Sequence, residues 1–330
     1  MCHYSGTYND IISVENLLLA WKEFLRGKKK KQDVQEFQYK LMDNVLVLHR
    51  DLKEKTYMHG GYHHFKISDP KPRDIHKASV RDRLLHHAIY RQLYAFFDQT
   101  FIFDSYSCRL EKGTHKAMNR FQGFARKASK NHTRTCWVLK CDIRKFFASI
   151  DQTVLITILQ KYIPNDDILW ILQRVIGSFY STETEKGLPL GNLTSQLLVN
   201  IYMNEFDQFV KHELKVKYYI RYADDFVFLS HDIRELEAFL PRIDAFLQEQ
   251  LQLTLHPDKV YIKTFASGVD FLGFIHFPNH RVLRTATKKR MFRRLTEKKG
   301  TEGEEATRES YLGMLTQGNA KKLQQQIRRS

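Results

Sequence analysis

Cysteine is scarce in this chain of 330 residues: Cys2, Cys108, Cys136 and Cys141 are the only four, and no two form a Cys-x-x-Cys pair. That excludes a disulfide framework and makes a zinc site an unfavourable reading, so reduced thiols serving as small core residues are expected. Proline is scarce as well, with seven scattered residues and no repeat or low-complexity block between them. No apolar run approaches the ~20 residues that span a bilayer, and the opening Met-Cys-His-Tyr-Ser-Gly has no basic-then-apolar leader. A cytoplasmic protein with no membrane partner is therefore expected. Negative charge is in deficit: 37 Asp and Glu against 53 Lys and Arg leave a net +16. The excess favours a polyanionic partner, nucleic acid first. Apolar material is not lacking, and 42% hydrophobic with 27% charged residues excludes disorder and suffices for one large or two modest domains.

Apolar side chains at Ile11, Val14, Leu17, Leu18, Trp21, Phe24 and Leu25 predict an amphipathic helix over 11–25 with the basic exit Lys28–Lys31. A second helix is predicted over 34–54. After Gly60-Gly61, residues Tyr62, Phe65 and Ile67 read as a strand, and Asp69-Pro70-Lys71-Pro72-Arg73 as the turn of a basic hairpin. Helical spacing returns over 79–97. The short apolar run 136–142 ends in a carboxylate, so a strand delivers Asp142. Helices over 151–161 and 165–177 precede the loop Gly187-Leu188-Pro189-Leu190-Gly191, which opens a long helix over 192–214. On it Asn192, Gln196, Asn200 and Asn204 recur every four residues as a polar stripe, and the ordinary reading of such a stripe is a solvated face. Residues 218–230, YYIRYADDFVFLS, read as a β-hairpin with Asp224 and Asp225 at its tip. A helix over 233–251, a strand pair across 253–277 and a basic tail follow. Residues 281–330 hold fourteen Lys or Arg against five Glu, a net of +9, which suits a module that grips a nucleic-acid backbone.

A sheet that sets these strands side by side would cluster Asp142, Asp224 and Asp225. Three hard oxygen donors suit Mg²⁺, and two such ions can activate a hydroxyl and stabilise a leaving phosphate oxygen. Asp is also frequent in hairpin turns for local hydrogen-bonding reasons, so the Asp-Asp pair alone decides nothing. His63-His64 and His86-His87 lack Cys or carboxylate partners at ligand spacing and read as fold or backbone contacts.

The order and wording of the segments resemble reverse transcriptases over about 60–277 and the C-terminal part. DPKPRDIHKASVRDRLLHHAI and FDSYSCRLEKGTHKA resemble the two fingers motifs, and LKCDIRKFFASID resembles the first palm motif. KGLPLGNLTSQLLVNIY resembles the loop and helix that touch template and nucleotide. YIRYADDFVFLS resembles the YxDD hairpin, and LTLHPDKVYI with VDFLGF resembles the closing palm strands. Most of the family has Pro-Gln-Gly where this chain has Pro189-Leu190-Gly191, followed by Asn192-Leu193-Thr194-Ser195-Gln196. That wording is similar to the enzymes of diversity-generating retroelements, which copy a template RNA into DNA mutated at adenines. The compact length leads us to expect no appended maturase, endonuclease or RNase H domain.

The resemblance implies an α+β right-hand polymerase: a helical extension over 1–58, fingers and palm over 59–277 with an antiparallel palm sheet backed by helices, and a basic helical thumb over 281–330. It implies two Mg²⁺ ions, with Mn²⁺ as a substitute, held by Asp142, Asp224, Asp225 and the Ile143 carbonyl. Lys259 takes the place of a general acid for pyrophosphate. Lys71, with Lys66 as its substitute, and Arg73 are expected on the triphosphate. Phe147 is expected under the sugar as a gate against ribose, beside a core Phe146, and Leu190 and Gln196 near the nascent pair. Arg81, Asn192, Asn200, Arg284, Lys288 and Lys289 are expected on nucleic acid. The implied partners are template RNA, a DNA or RNA primer, dNTPs and a small basic oligomeric accessory protein. Competing readings are a solitary antiphage-defence reverse transcriptase, an RNA-dependent RNA polymerase, against which Phe147 argues, and a non-catalytic RNA-binding protein on a polymerase fold.

Overall fold

Short polar side chains open many of the helices. Thr7 caps Tyr8–Ile12 in a reciprocal box with Asp10, Ser79 caps Val80–Thr100, Asp151 caps Gln152–Tyr162 and Asn165 caps Asp166–Ile176. The same chemistry divides the first predicted helix. Ser13 accepts a hydrogen bond from the Asn16 amide, so Tyr8–Ile12 ends and Val14–Phe24 begins where the periodicity reads through. The second, over 34–54, is divided at Lys40, whose backbone is not helical, into Gln32–Tyr39 and Leu41–Lys53.

The computed structural model describes residues 2–68 and 72–329; Lys71 lies outside the described residues. The chain forms two compact units. The first comprises Met1–Phe103, Ile143–Glu213 and Asp244–Leu255. It holds the N-terminal helices and an antiparallel hairpin of β1 (Tyr62–Ile67) and β2 (Arg73–Ala78), in register from Tyr62 opposite Ala78 to Ile67 opposite Arg73. The helix Leu193–Gln208 continues into a π-helical turn at Phe209–Glu213. It packs on Val80–Thr100 and is buried nearly all round, its polar positions Thr194, Ser195, Asn200, Asn204 and Asp207 included. The expected solvated stripe is thereby corrected: Asn192, Asn200 and Asn204 are only 1–2% exposed. The Asn192 amide donates to the His76 carbonyl of β2 at 2.9 Å, and Asn204 accepts from Gln208.

The second unit comprises Asp104–Asp142, Leu214–Ile243 and His256–Ser330. Its main sheet contains β3 (Trp137–Asp142), β4 (Tyr219–Tyr222), β5 (Asp225–Ser230) and β6 (Tyr261–Thr264), all antiparallel in the order β4-β5-β3-β6. One face, carrying Val138, Val227 and Leu229, buries against Phe121, Phe124 and Ala125 of the helix Thr114–Ala128. That helix is absent from the sequence reading, although Ala117, Phe121, Phe124 and Ala128 have its spacing. The strand pair expected across 253–277 is instead divided between two sheets. After β6, β7 (Val269–Phe271) and β8 (Phe274–His276) join β9 (Arg281–Leu283) in a three-stranded sheet. Residues 281–283 are thus strand, and the helices Thr285–Lys298, Glu304–Leu315 and Lys321–Arg329 follow, packed through Met291, Leu315 and Ile327 onto Phe274 and Leu283.

Cys136 and Cys141 are buried as expected, whereas Cys2 and Cys108 are exposed; all four thiols are free. Among the described residues no helix is long and apolar enough to cross a membrane.

Candidate active site

Strand alternation brings the acids together. The β3–β5 register places Asp142 directly opposite Asp225, and Lys140 opposite Val227. Side chains two apart in a strand share a face, so Lys140, Asp142 and Asp225 all emerge on one side of the sheet. The Lys140 ammonium lies 3.1 Å from Asp225 Oδ2 and donates to the Asp270 carbonyl at 2.7 Å. Asp224 precedes Asp225 in the two-residue turn between β4 and β5, whose flanks Tyr222 and Asp225 are paired. From the next segment Lys259 donates to Asp142 Oδ1 at 2.7 Å, while the His256 amide donates to the Asp142 carbonyl at 2.8 Å.

The electrostatics follow from this crowding. Burial raises the Asp225 carboxyl to about 6, against the pull of Lys140, and the charges of Asp142 and Asp224 push the same way as burial. Asp225 therefore feels both of the other acids. Asp225 Oδ1 is buried without a hydrogen-bond partner, an orphaned acceptor of the kind a bound cation satisfies. Oxygen donors on adjacent strands also suit a hard divalent ion. Among the described residues no group of three or more His, Cys, Asp or Glu forms a ready-made cation cage; the ammonium groups of Lys140 and Lys259 stand on the carboxylates instead. The facing Asp142 and Asp225 and the orphaned Asp225 oxygen fit a divalent ion once these lysines give way to it.

One consequence is measurable without metal. Asp225 keeps its proton up to about pH 6 in the folded chain and only to about 4 in the unfolded one. Unfolding between those values releases a proton, so stability attributable to this group falls as pH rises through the window and stays low above it. Relative to Asp225→Asn, which does not titrate, the wild type should lose roughly 3 kcal/mol between pH 4 and 7. Urea denaturation of both proteins in chelator checks this; a constant difference across the range would show that Asp225 titrates normally.

Ile143 follows Asp142 and bridges to Leu255. In the first unit the helical turn Phe146–Ser149 buries Phe146, at 3% exposure, and leaves Phe147 half-buried, with the two rings edge to face at 5.6 Å. The Leu188 amide donates to the Phe147 carbonyl at 2.8 Å, so the loop 187–191 is fastened to that turn. Gly187 and Gly191 both have φ near +100°, and a Cβ at Gly191 would meet Ile75 Cγ2 at 3.0 Å; both positions need glycine. Between them Leu190 is half-buried, and its carbonyl accepts from the His76 amide of β2 at 3.1 Å. The nucleotide-loop candidates and the basic hairpin are thus one structure. Arg73 is exposed at the start of β2, Lys66 is exposed on β1, and Gln196 is half-buried on the long helix.

Of the residues expected on nucleic acid, Asn192 and Asn200 are buried and offer no accessible surface. Arg81 is spent internally, on Asp51 at 2.7 Å and the Met58 carbonyl at 3.2 Å. Arg284 pairs with Asp270 at 2.9 Å, while Lys288 and Lys289 are exposed on the helix Thr285–Lys298. In the paired histidines, His64 bonds Asp74, and His86, pushed down to about 3 by burial, faces His59. Lys140 was missed by the sequence reading. Its signal is a cation in an apolar strand, two residues before Asp142.

Residues 66–276 match the family described as reverse transcriptase (RNA-dependent DNA polymerase). The chain is also similar to Protein YkfC of Escherichia coli (strain K12), 25% identical over 67% of this chain and 66% of that protein. The group II intron-encoded protein LtrA of Lactococcus lactis subsp. cremoris is 22% identical over 68% of this chain and 47% of its own length. The chain spans less than two thirds of each of these relatives.

Proposed function

The chain belongs to the reverse transcriptase family, and we propose that it is an RNA-directed DNA polymerase that extends a DNA or RNA primer with dNTPs along a template RNA. The observation that carries this reading is the facing pair Asp142 and Asp225 with Asp224 beside them, on a sheet within the matched segment. In right-hand terms, the β3–β6 sheet is the palm, the β1–β2 hairpin belongs to the fingers, and the basic helices from Thr285 form the thumb. Two Mg²⁺ ions, or Mn²⁺, held by Asp142, Asp224, Asp225 and the Ile143 carbonyl would supply the positive charge for attack of the primer 3′-hydroxyl on the α-phosphate.

The remaining work falls to side chains. Lys140 holds Asp225 in place. Lys259, which rests on Asp142 in the free protein, carries a proton on Nζ that can pass to the departing pyrophosphate. Arg73 offers a planar fork to phosphate oxygens, with Lys71 or Lys66 as point charges. Lys288 and Lys289 meet the backbone of the hybrid, because the deep narrow groove of an A-form duplex cannot be read by side chains. Extension of a primed RNA template by dNTPs and Mg²⁺ tests the reading; a folded protein that binds template-primer and adds no nucleotide would leave only an RNA-binding protein.

The finer reading is the error-prone enzyme of a diversity-generating retroelement, acting with a small basic oligomeric protein. It is supported by Leu190, which stands where the family's Gln supplies hydrogen bonds beside the nascent pair. Leucine fills space but neither donates nor accepts, so a mismatch loses less there relative to a correct pair. A hydrogen bond is worth roughly 0.5–1.5 kcal/mol net, so Leu190→Gln should lower misincorporation opposite template adenine by about two- to tenfold. Errors opposite other bases should fall less. Sequencing cDNA made by both forms on one template decides it, and a wild type as accurate at adenine as elsewhere rejects this assignment.

A further inference from the structure

A charged side chain with no access to water is costly to keep until its partners compensate, so its partners bear on what it is kept for. Arg221, on β4 of the hairpin, is 0% exposed and heads the largest fully buried side chains. It pairs with Phe226 across the hairpin, one position away from the Tyr222–Asp225 pair. By strand alternation it therefore leaves the sheet on the face opposite Asp142 and Asp225. Its guanidinium spans two elements. Nη1 donates to the Ala223 carbonyl at 3.2 Å, and Nη2 donates to the Ser105 hydroxyl at 3.1 Å.

Ala223 is the residue between β4 and Asp224, and its φ is +55°. That left-handed conformation is disfavoured for a residue with a Cβ and persists only where its surroundings hold it. The second anchor is itself rigid. The segment Asp104–Tyr106 runs along the edge of β4, with the Arg221 amide donating to the Asp104 carbonyl and the Tyr106 amide to the Arg221 carbonyl, both at 3.0 Å. Arg120 clamps the Asp104 carboxylate from two nitrogens, at 2.8 and 3.2 Å.

We propose that Arg221 is a positioning residue for nucleotide transfer: by pinning the Ala223 carbonyl to the braced Ser105 segment, it fixes the left-handed turn that aims the Asp224 carboxylate. Arg221 acts through the turn, and the planar fork matters as well as the charge, because one guanidinium reaches a carbonyl and a hydroxyl at once. The inference rests on the reverse transcriptase reading. Lysine keeps the charge but loses the fork.

Arg221→Lys and Ser105→Ala are compared with wild type as full-length chains, by thermal melting, amide hydrogen exchange in chelator, Mn²⁺ titration followed by electron paramagnetic resonance, and single-nucleotide addition. In Arg221→Lys we expect exchange at residues 223–225 to rise about tenfold and half-saturating Mn²⁺ to rise by a similar factor, as for loss of a charged hydrogen bond. Addition at low Mg²⁺ should fall in step and recover at high Mg²⁺. Ser105→Ala, which removes one neutral partner, should show the same pattern at about threefold. Unchanged Mn²⁺ binding in a folded Arg221→Lys overturns the proposal. So does exchange that quickens evenly along β4 and β5 with a lower melting temperature and unaltered Mn²⁺ affinity. If Arg221→Lys does not fold, an unshifted Ser105→Ala overturns it. A wild type that binds Mn²⁺ but never extends a primer refutes the polymerase reading instead.

Discussion

Asp142→Ala and Asp224→Ala should each lower single-turnover nucleotide addition by about three orders of magnitude or more, the loss expected when a ligand for the transferring phosphate's counter-charge is removed. Template-primer binding should stay close to wild type, because the exposed cations of the helix Thr285–Lys298 are untouched. The local electrostatics argue that both variants fold. Asp142 and Asp224 each push the Asp225 carboxyl upward, so removing either relieves like-charge repulsion on the β3–β5 face. In Asp142→Ala the Lys259 ammonium loses its carboxylate, and that side chain is already 39% exposed, so water can take over. Rapid-quench extension with fluorescence anisotropy on the same duplex separates the two effects. Activity above a few per cent of wild type in either variant would remove that residue from the reaction.

The acids were legible because they sit where local rules are strong. A short apolar run ending in Asp and two β-rich runs around Ala-Asp-Asp both report strands, and the structure places Asp142 at a strand end and Asp224 and Asp225 at a hairpin tip, as read. The residues that hold the acids were not legible. Lys140 acts diagonally across the sheet, and Arg221 acts through a segment more than a hundred residues earlier in the chain, so neither leaves a local trace. The asparagine stripe misled for a related reason. Polarity along a helix implies water only when nothing packs on that side, and the sequence does not say that Val80–Thr100 and β2 lie against it. The split first helix shows the limit of periodicity itself: apolar spacing runs unbroken from Ile11 to Leu25, yet one serine accepting one amide ends one helix and begins the next.

Phe147→Ala should lower discrimination against ribonucleotides by about one to two orders of magnitude, since a steric pocket distinguishes small additions by roughly 1–3 kcal/mol. The two adjacent phenylalanines divide their duties visibly. Phe146 is buried and carries packing, whereas Phe147 is half-buried, as the proposed gate requires. Its backbone is fixed independently of the ring, since its carbonyl accepts from Leu188, so truncation should open space without releasing the loop. Because the ring is half-buried, the stability cost should fall below the ~3–5 kcal/mol of a fully buried Phe→Ala change. Competition between dGTP and GTP in single-nucleotide addition reads the gate directly. GTP use should rise while dGTP use changes little, and Phe147→Tyr, which keeps the ring, should retain the wild-type preference. An unchanged dGTP to GTP ratio in Phe147→Ala would place the gate on another residue and would revive the reading as an RNA-dependent RNA polymerase, which a phenylalanine at this position otherwise opposes.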